Sequence, residues 1–576
     1  MERRSFLGLG ASVQNSTKKD PALPVKEDPV SQLQNQQLPS FARVSAGLES
    51  YTGEFGWWEA RHLLNRALFG AKHSEISQAV EEGLEATLDR LFADWEEPTP
   101  PINFSSNNDL SVPRGETWVE KRQNNEDGVN NTPYRRASVR YWNIGLMLDQ
   151  DVSLREKMVL FWHNHFATEL VLSGDPRGSY ELIRLFRKHA LGNFKTLVEE
   201  VTVNAGMLVY LNGIDNKVGA PNENYGRELL ELFTIGKGPQ IGEGNYTNYT
   251  EEDVIEASKV LTGWRLNLNG RQDGALAGLY KSGRHDKSTK TFSEAFDNAT
   301  IENAEEEEYK LLISMIFGKR ETARYICRKL YRWFVYYVID EAAEENVIEP
   351  MADMLINNSF EVKPVIRALL SSAHFFDVDN QGCMIKSPID YVISMVRSSE
   401  ATMPGLNDYR NQYSLWNFLY GQAKSFQQDF LTPPSVAGWP AYYQEPAFYQ
   451  LWVNSATLPN RQFYINIVSQ SGGKKIRGNR NLEIDVFKFM DYVSDPGDPN
   501  LVVREIAQIL LPQSIPNSQK NNLKDILIPG LPDFEWTEEY LLYISDPSNE
   551  EIKMAVESKL RELVQAILSL PEFHLM

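Results

Sequence analysis

Apolar residues recur at helical spacing along most of this chain, and the polar residues between them sort onto the opposite face. The clearest case runs from Pro221 to Gly236. Over 223–235, Tyr225, Leu229, Leu232 and Phe233 share one side of a helix, with Leu230 at its edge. Asn224, Arg227, Glu228 and Glu231 share the other, and Gly236 stands where a helix-ending glycine belongs. Asn224, Glu228 and Glu231 follow i, i+4, i+7 and form one stripe. Two carboxylates, an amide and a guanidinium on one short face make either a solvated surface or a polar site.

The same periodicity predicts helices over 57–69, 74–92, 137–150, 152–168, 179–190, 193–203, 250–262, 305–317, 320–338, 341–357, 362–372, 386–400 and 548–570. Thr250 is the expected N-cap of its helix, with Glu251, Glu252 and Asp253 in the first turn, where the macrodipole favours negative charge. Residues 97–136 read as a polar loop. Residues 264–300 lose the helical period and read as loops with one short hairpin. Residues 429–450 are loop-rich and aromatic, and 468–482 are basic and glycine-rich. Strand-type alternation is scarce. The expected fold class is mostly α, a large multi-helix assembly with loop-rich insertions and little strand. The expected organisation is a signal-like, disordered arm over 1–48, a helical core over 49–465, and a C-terminal helical extension over 466–576 packing on that core.

Bulk properties narrow the functions. The chain has 576 residues and a formal net charge of -20. That argues against a nucleic-acid partner, which needs a basic surface, and against anionic lipid. The longest apolar runs fall short of the ~20 residues that span a bilayer, so no transmembrane span is expected. Two cysteines, Cys327 and Cys383, exclude a disulfide scaffold and a zinc ribbon. At the N-terminus, Arg3-Arg4-x-Phe6-Leu7 resembles the start of a twin-arginine export signal, although the apolar part after it is short.

Several segments could carry chemistry. His163 and His165 lie in a stretch apolar enough to be buried. At i, i+2 on a helix they point about 160° apart and cannot share one ion; on a strand or a frayed end they could. His285-Asp286 sits on a loop, a placement suited to metal ligation or acid–base work. Arg324, Arg328 and Arg332 recur every four residues, with Lys329 nearby. That stripe would hold an anion or the Glu228/Glu231 face, unless it is simply solvated. Pro433-Pro434-Ser435-Val436-Ala437-Gly438-Trp439-Pro440 is a rigid turn whose tryptophan would stack on a sugar or plug a core. Motifs for nucleotide hydrolysis, zincin chemistry, nucleophile-elbow serine hydrolysis and dinucleotide binding are absent.

Taken in order, the motifs resemble one family. They are Arg61-His62-Leu63-Leu64-Asn65-Arg66, Phe161-Trp162-His163-Asn164-His165-Phe166, and Asn222-Glu223-Asn224 through Arg227-Glu228-Leu229-Leu230-Glu231-Leu232-Phe233. Thr262-Gly263-Trp264, His285-Asp286, Lys329-Leu330, Lys386-Ser387-Pro388 and Val436-Ala437-Gly438-Trp439-Pro440 follow, with Leu570-Pro571-Glu572-Phe573 at the end. The chain resembles the bacterial family catalogued as domain of unknown function 1800, over roughly 56–460 and the closing motif. The resemblance implies a mostly helical protein of the envelope or secreted space, periplasmic or beyond, without an established activity. It also implies a partner of the sulfatase-like family, domain of unknown function 1501. Ser288 and Thr289 replace the glycine usual after the His-Asp pair, and the acidic tail beyond 482 falls outside the resemblance.

The family's signature positions are largely polar or ionisable: His62, Arg66, His163, His165, Asn222, Asn224, Arg227, Glu228, Glu231, His285 and Asp286. Buried groups of that kind need partners, so they are expected to converge. The leading expectation is an exported helical protein working with a partner. A rival is a metal-assisted hydrolase holding one divalent ion between His163, His165, Glu228, Glu231, His285 and Asp286. Another is a glycan-binding module built on Trp439. The arginine stripe, with Arg328 at its centre, is the candidate anion site.

Overall fold

The computed structural model describes residues 44–105, 109–122, 130–170, 174–268 and 272–576. Residues 1–43 of the N-terminal arm, with the export-like motif, lie outside the described residues, whereas Leu48, at the arm's expected end, donates its N–H to the Asn346 carbonyl at 3.2 Å. Helices dominate, as expected. Those that position the site are α1 (Trp57–Ala67), α2 (Thr132–Leu148), α3 (Arg155–His165), α4 (Pro176–Lys188), α5 (Glu223–Glu228), α6 (Glu251–Val260), α7 (Arg320–Phe334), α8 (Pro388–Ser398), α9 (Tyr409–Ser425), α10 (Pro499–Leu510) and α11 (Glu550–Leu568). Among the described residues the strands form only four two-stranded antiparallel hairpins.

Local chemistry sets the helix ends. Thr250 caps α6, with a reciprocal capping box from Asp253. Asp253 also accepts from the Ser293 backbone N–H at 2.7 Å and so anchors the loop region. Ser387 caps α8, with Pro388 in the first turn, where its missing N–H costs nothing. Pro133 plays that role in α2. A proline read from sequence as loop is therefore a helix start, and the polar loop ends at Asn131. The predicted helix over 320–338 stops at Phe334. Residues 264–300 hold two hairpins rather than one, pairing 264–266 with 278–280 and 290–291 with 300–301.

The motif at 223–235 departs from expectation in one informative way. After Glu228 the helix widens into a π-type turn over Leu229–Thr234. The extra residue per turn breaks the i, i+4, i+7 stripe that the sequence suggested. Gly236 then takes a φ of 72°, and a Cβ there would meet the Tyr325 ring at 2.8 Å.

α3 is the hub. It packs on α4, while α2 and α8 both pack on α9. Two buried ion pairs fix it: Glu156 with Arg187 of α4 at 2.9 Å, and Lys157 with Asp390 of α8 at 2.5 Å. Burial pushes the Lys157 ammonium below its usual range, and Asp390 opposes that. One apolar cluster runs from Ala60 to Met576. The C-terminal helices therefore share the core: Arg61 reaches the last turn of α10, and Lys386 donates to the Phe573 carbonyl at 2.8 Å. No helix among the described residues is long and apolar enough to cross a membrane.

The Lys157–Asp390 pair generates a prediction. Lys157→Met strands a buried carboxylate, so unfolding free energy should fall by about 3–5 kcal/mol. Lys157→Met combined with Asp390→Leu should recover much of that loss. A denaturant titration placing the single variant within about 1 kcal/mol of the parent would contradict the pair's burial.

Candidate functional site

Five of the eleven signature residues, His62, Arg66, His163, His165 and His285, are buried and the other six are half-buried, and they do not gather in one place. Arg66 has 0% exposure and donates to the carbonyls of Val335 and Asn380 at 3.2 and 3.0 Å. His62 bonds the Phe375 carbonyl at 3.0 Å. His285 bonds Glu308 at 2.7 Å, and Glu308 is also paired with Lys290; all three are sealed from solvent. Asp286 accepts from the backbone and hydroxyl of Ser288. Asn222 caps α5 by accepting from the Asn224 N–H at 3.0 Å. Arg227 reaches across to Glu251 of α6 with two bonds of 2.7 Å and also touches Glu223. Glu231 pairs with Lys237 at 2.6 Å, and Glu228 lies half-buried at the end of α5.

The six residues proposed around one divalent ion are thus dispersed. His163 and His165 point to opposite sides of α3, as helical geometry requires. His163 packs on Phe430 and Trp439, and burial pushes its pKa down to about 3 although the Thr168 backbone favours its cation. Among the described residues no three His, Cys, Asp or Glu side chains converge to hold a metal. Trp439 is 1% exposed, so no ring face is open to a sugar. Two of the stripe's three arginines are spent internally: Arg324 binds Glu349, beside Arg320, and Arg328 binds Glu344 at 2.6 Å and Glu321 at 2.5 Å, whereas Arg332 donates to a backbone carbonyl. Arg328 is therefore a helix-to-helix tie instead of an open anion site.

One place does bring distant motifs together. Phe161, Asn164 and His165 of α3, Lys329, Arg332 and Trp333 of α7, and Ala437, Tyr442, Tyr443 and Tyr449 of the loop after α9 enclose a cavity of about 30 Å³. Larger concavities exist, of about 830 Å³ beside Arg477 and Arg480 and about 550 Å³ beside Asp429. Both are open surface grooves lined by no fully buried ionisable side chain. The small cavity is different because a fully buried histidine, His165, lines it beside the half-buried Lys329 and Arg332.

The π-type turn builds its floor. Such a turn leaves backbone carbonyls to be satisfied from outside. Tyr325 Oη donates to the Leu232 carbonyl at 3.1 Å, Lys329 Nζ to the same carbonyl at 3.0 Å, and His165 Nε2 to the Phe233 carbonyl at 2.9 Å. Donation from Nε2 leaves His165 Nδ1 as an acceptor, and Lys329 Nζ lies 3.1 Å from it. The histidine is thereby held in one neutral tautomer, and burial lowers its pKa well below the usual range.

Lys329 is the unusual group. It retains a little accessible surface, but protein encloses its amine so closely that desolvation, helped by the Arg332 charge, lowers its pKa to about 7. Its amine also sits 4.7 Å above the Tyr325 ring. As a neutral amine, Lys329 spends both N–H donors on His165 and Leu232 and keeps a lone pair. As an ammonium, it has a third N–H to give. Arg332 donates to the Tyr337 carbonyl at 3.2 Å and is itself lowered by burial.

Sequence reasoning placed Lys329 beside a charged stripe. The missed signal is its aromatic setting: Tyr325, Lys329 and Trp333 follow i, i+4, i+8 on the apolar side of α7. Asn164 closes the other wall by accepting from the Trp439 N–H at 2.9 Å. That contact needs Gly438, whose φ is 85° and where a Cβ would fall 2.3 Å from Asn164 Oδ1. Gly438→Ala should therefore break the Asn164–Trp439 bond and lower stability by about 1–3 kcal/mol. Asn164→Ala should cost a similar amount, and the double variant less than the sum. Additive losses in thermal melts would show that the two do not touch.

The chain matches the family model described as "Protein of unknown function (DUF1800)" over residues 62–575. The match takes in the C-terminal helices as well as the motif segments. No curated protein and no solved structure matches the chain. A match over nearly the whole described fold shows that this chain belongs to the DUF1800 family.

Proposed function

We propose that this protein is exported to the cell envelope and acts there, beside a partner protein, through the Lys329 cavity as an acid–base centre. The observation that supports this most is the enclosed Lys329 amine, lowered to about 7 so that amine and ammonium coexist near physiological pH, beside a histidine of fixed tautomer. An amine with a pKa near the working pH exchanges a proton at little cost. The dispersal of His163, His165, Glu228, Glu231, His285 and Asp286 favours this lysine over a metal-assisted centre, because no shared donor set forms. Export rests on Arg3-Arg4-x-Phe6-Leu7, and the partner on the family's implied association with the sulfatase-like DUF1501 family.

Lys329 is directly measurable. Competitive acylation followed by peptide mass spectrometry should give an inflection near pH 7 for Lys329; one near pH 10 would remove the basis of an acid–base role. Its linkage to stability has a definite sign. The folded pKa lies below that of the unfolded chain, so the unfolded state binds more protons between pH 7 and about 10.4. Unfolding free energy should therefore gain up to about 1.4 kcal/mol per pH unit across that window, and Lys329→Met should lose the gain. For export, Arg3→Lys with Arg4→Lys should hold the protein in the cytoplasm of a host possessing twin-arginine transport. Unchanged delivery to the envelope would overturn the export proposal.

A further inference from the structure

We infer that the Lys329 cavity is a carboxylate-binding site, in which Lys329 and Arg332 receive the two oxygens of a ligand's terminal carboxylate. This rests on the cavity being the working site and adds the ligand class. Lys329 and Arg332 stand one helical turn apart on α7 and both line the cavity. Elsewhere on this helix Arg320, Arg324 and Arg328 each have a carboxylate within 3 Å. Among the described residues Lys329 and Arg332 make no ion pair; they donate to His165, Leu232 and Tyr337 instead. Two basic side chains beside one partly enclosed space, with no carboxylate in its lining, favour an incoming anion.

Size and shape narrow that anion. A space of about 30 Å³ holds roughly two water-sized groups. A carboxylate head fits, whereas tetrahedral sulfate or phosphate carries four oxygens. The guanidinium fork suits a planar two-oxygen partner. Asn164 spends only its oxygen, on Trp439, so its amide N–H groups can also face the ligand. Tyr443 is 42% exposed and marks the side from which the rest of the ligand would extend.

Binding should be linked to protons. The groups around Lys329 are His165, Tyr325, Arg332, Tyr442 and Tyr449, with Glu445, Arg328 and Glu344 acting on Arg332 from beyond ion-pair distance. A bound carboxylate stabilises the ammonium, so affinity should fall as pH rises past the lysine's midpoint.

The test uses the full chain and ligand-observed NMR with ¹³C-formate and ¹³C-acetate, against acetamide and sulfate at fixed ionic strength. Formate and acetate should bind saturably at one site, at least tenfold more weakly at pH 9 than at pH 6, and acetamide should not bind. Arg332→Gln should weaken acetate at least tenfold, and Arg332→Lys should restore part of it. Equal broadening by acetate and acetamide, sulfate binding tighter than acetate, or an unaffected Arg332→Gln would overturn the assignment. If acetate fails while Lys329 still titrates near pH 7, only the carboxylate assignment falls. If Lys329 titrates at its ordinary value, the acid–base reading falls, whatever acetate does.

Discussion

The constraint on which this fold depends is the burial of cations on backbone carbonyls. Helices end in carbonyls without partners. This chain satisfies many of them with guanidinium and ammonium groups brought from far along the sequence. Arg61 donates to Gln508 and Ile509 at the end of α10. Arg397 donates to Gly70 and Gln150, beyond the ends of α1 and α2, and to Leu148, the last residue of α2. Arg461 takes the carbonyls of Lys386 and Trp452 and lies 4.5 Å from the Tyr391 ring. Each such contact answers two needs at once: a buried cation is solvated by dipoles, and an orphan carbonyl finds a donor. The formal net charge of -20 fits this arrangement, since acidic groups can stay near water while much of the interior charge is positive.

Lys329 belongs to the same pattern and is its incomplete case. Arg66 and Arg61 are sealed where they bind carbonyls. Lys329 also caps a carbonyl, yet it borders a cavity and shares its hydrogen bonds with a histidine. The π-type turn connects the structural and chemical sides of the site. It supplies the carbonyls that orient Tyr325, Lys329 and His165, and those three side chains hold the turn open. A device that elsewhere only joins helices here also holds a reactive amine.

Much of the architecture could be read from the residues, because helical periodicity and capping are local. Thr250, the α5 motif and the amphipathic last helix show this. Pro133 is ambiguous in sequence because a proline reads alike in a loop and in the first turn of a helix. The centre was harder to see for a different reason. His62, Arg66 and Arg227 have the composition of a catalytic cluster, but composition does not reveal whether a buried cation meets a carboxylate or a carbonyl. Carbonyls are present at every residue and leave no mark in sequence. Lys329 became distinctive only once its enclosure was visible, although the aromatic residues four before and four after it were a readable hint.

The Arg61 contact has a consequence for how the chain is made. Its acceptor at Ile509 lies 448 residues downstream. While the ribosome is still producing the middle of the protein, α1 holds a guanidinium destined for the interior without its acceptors. The amino-terminal layer therefore reaches its final packing only after the carboxyl-terminal helices emerge, and assembly is completed near the end of translation rather than piece by piece.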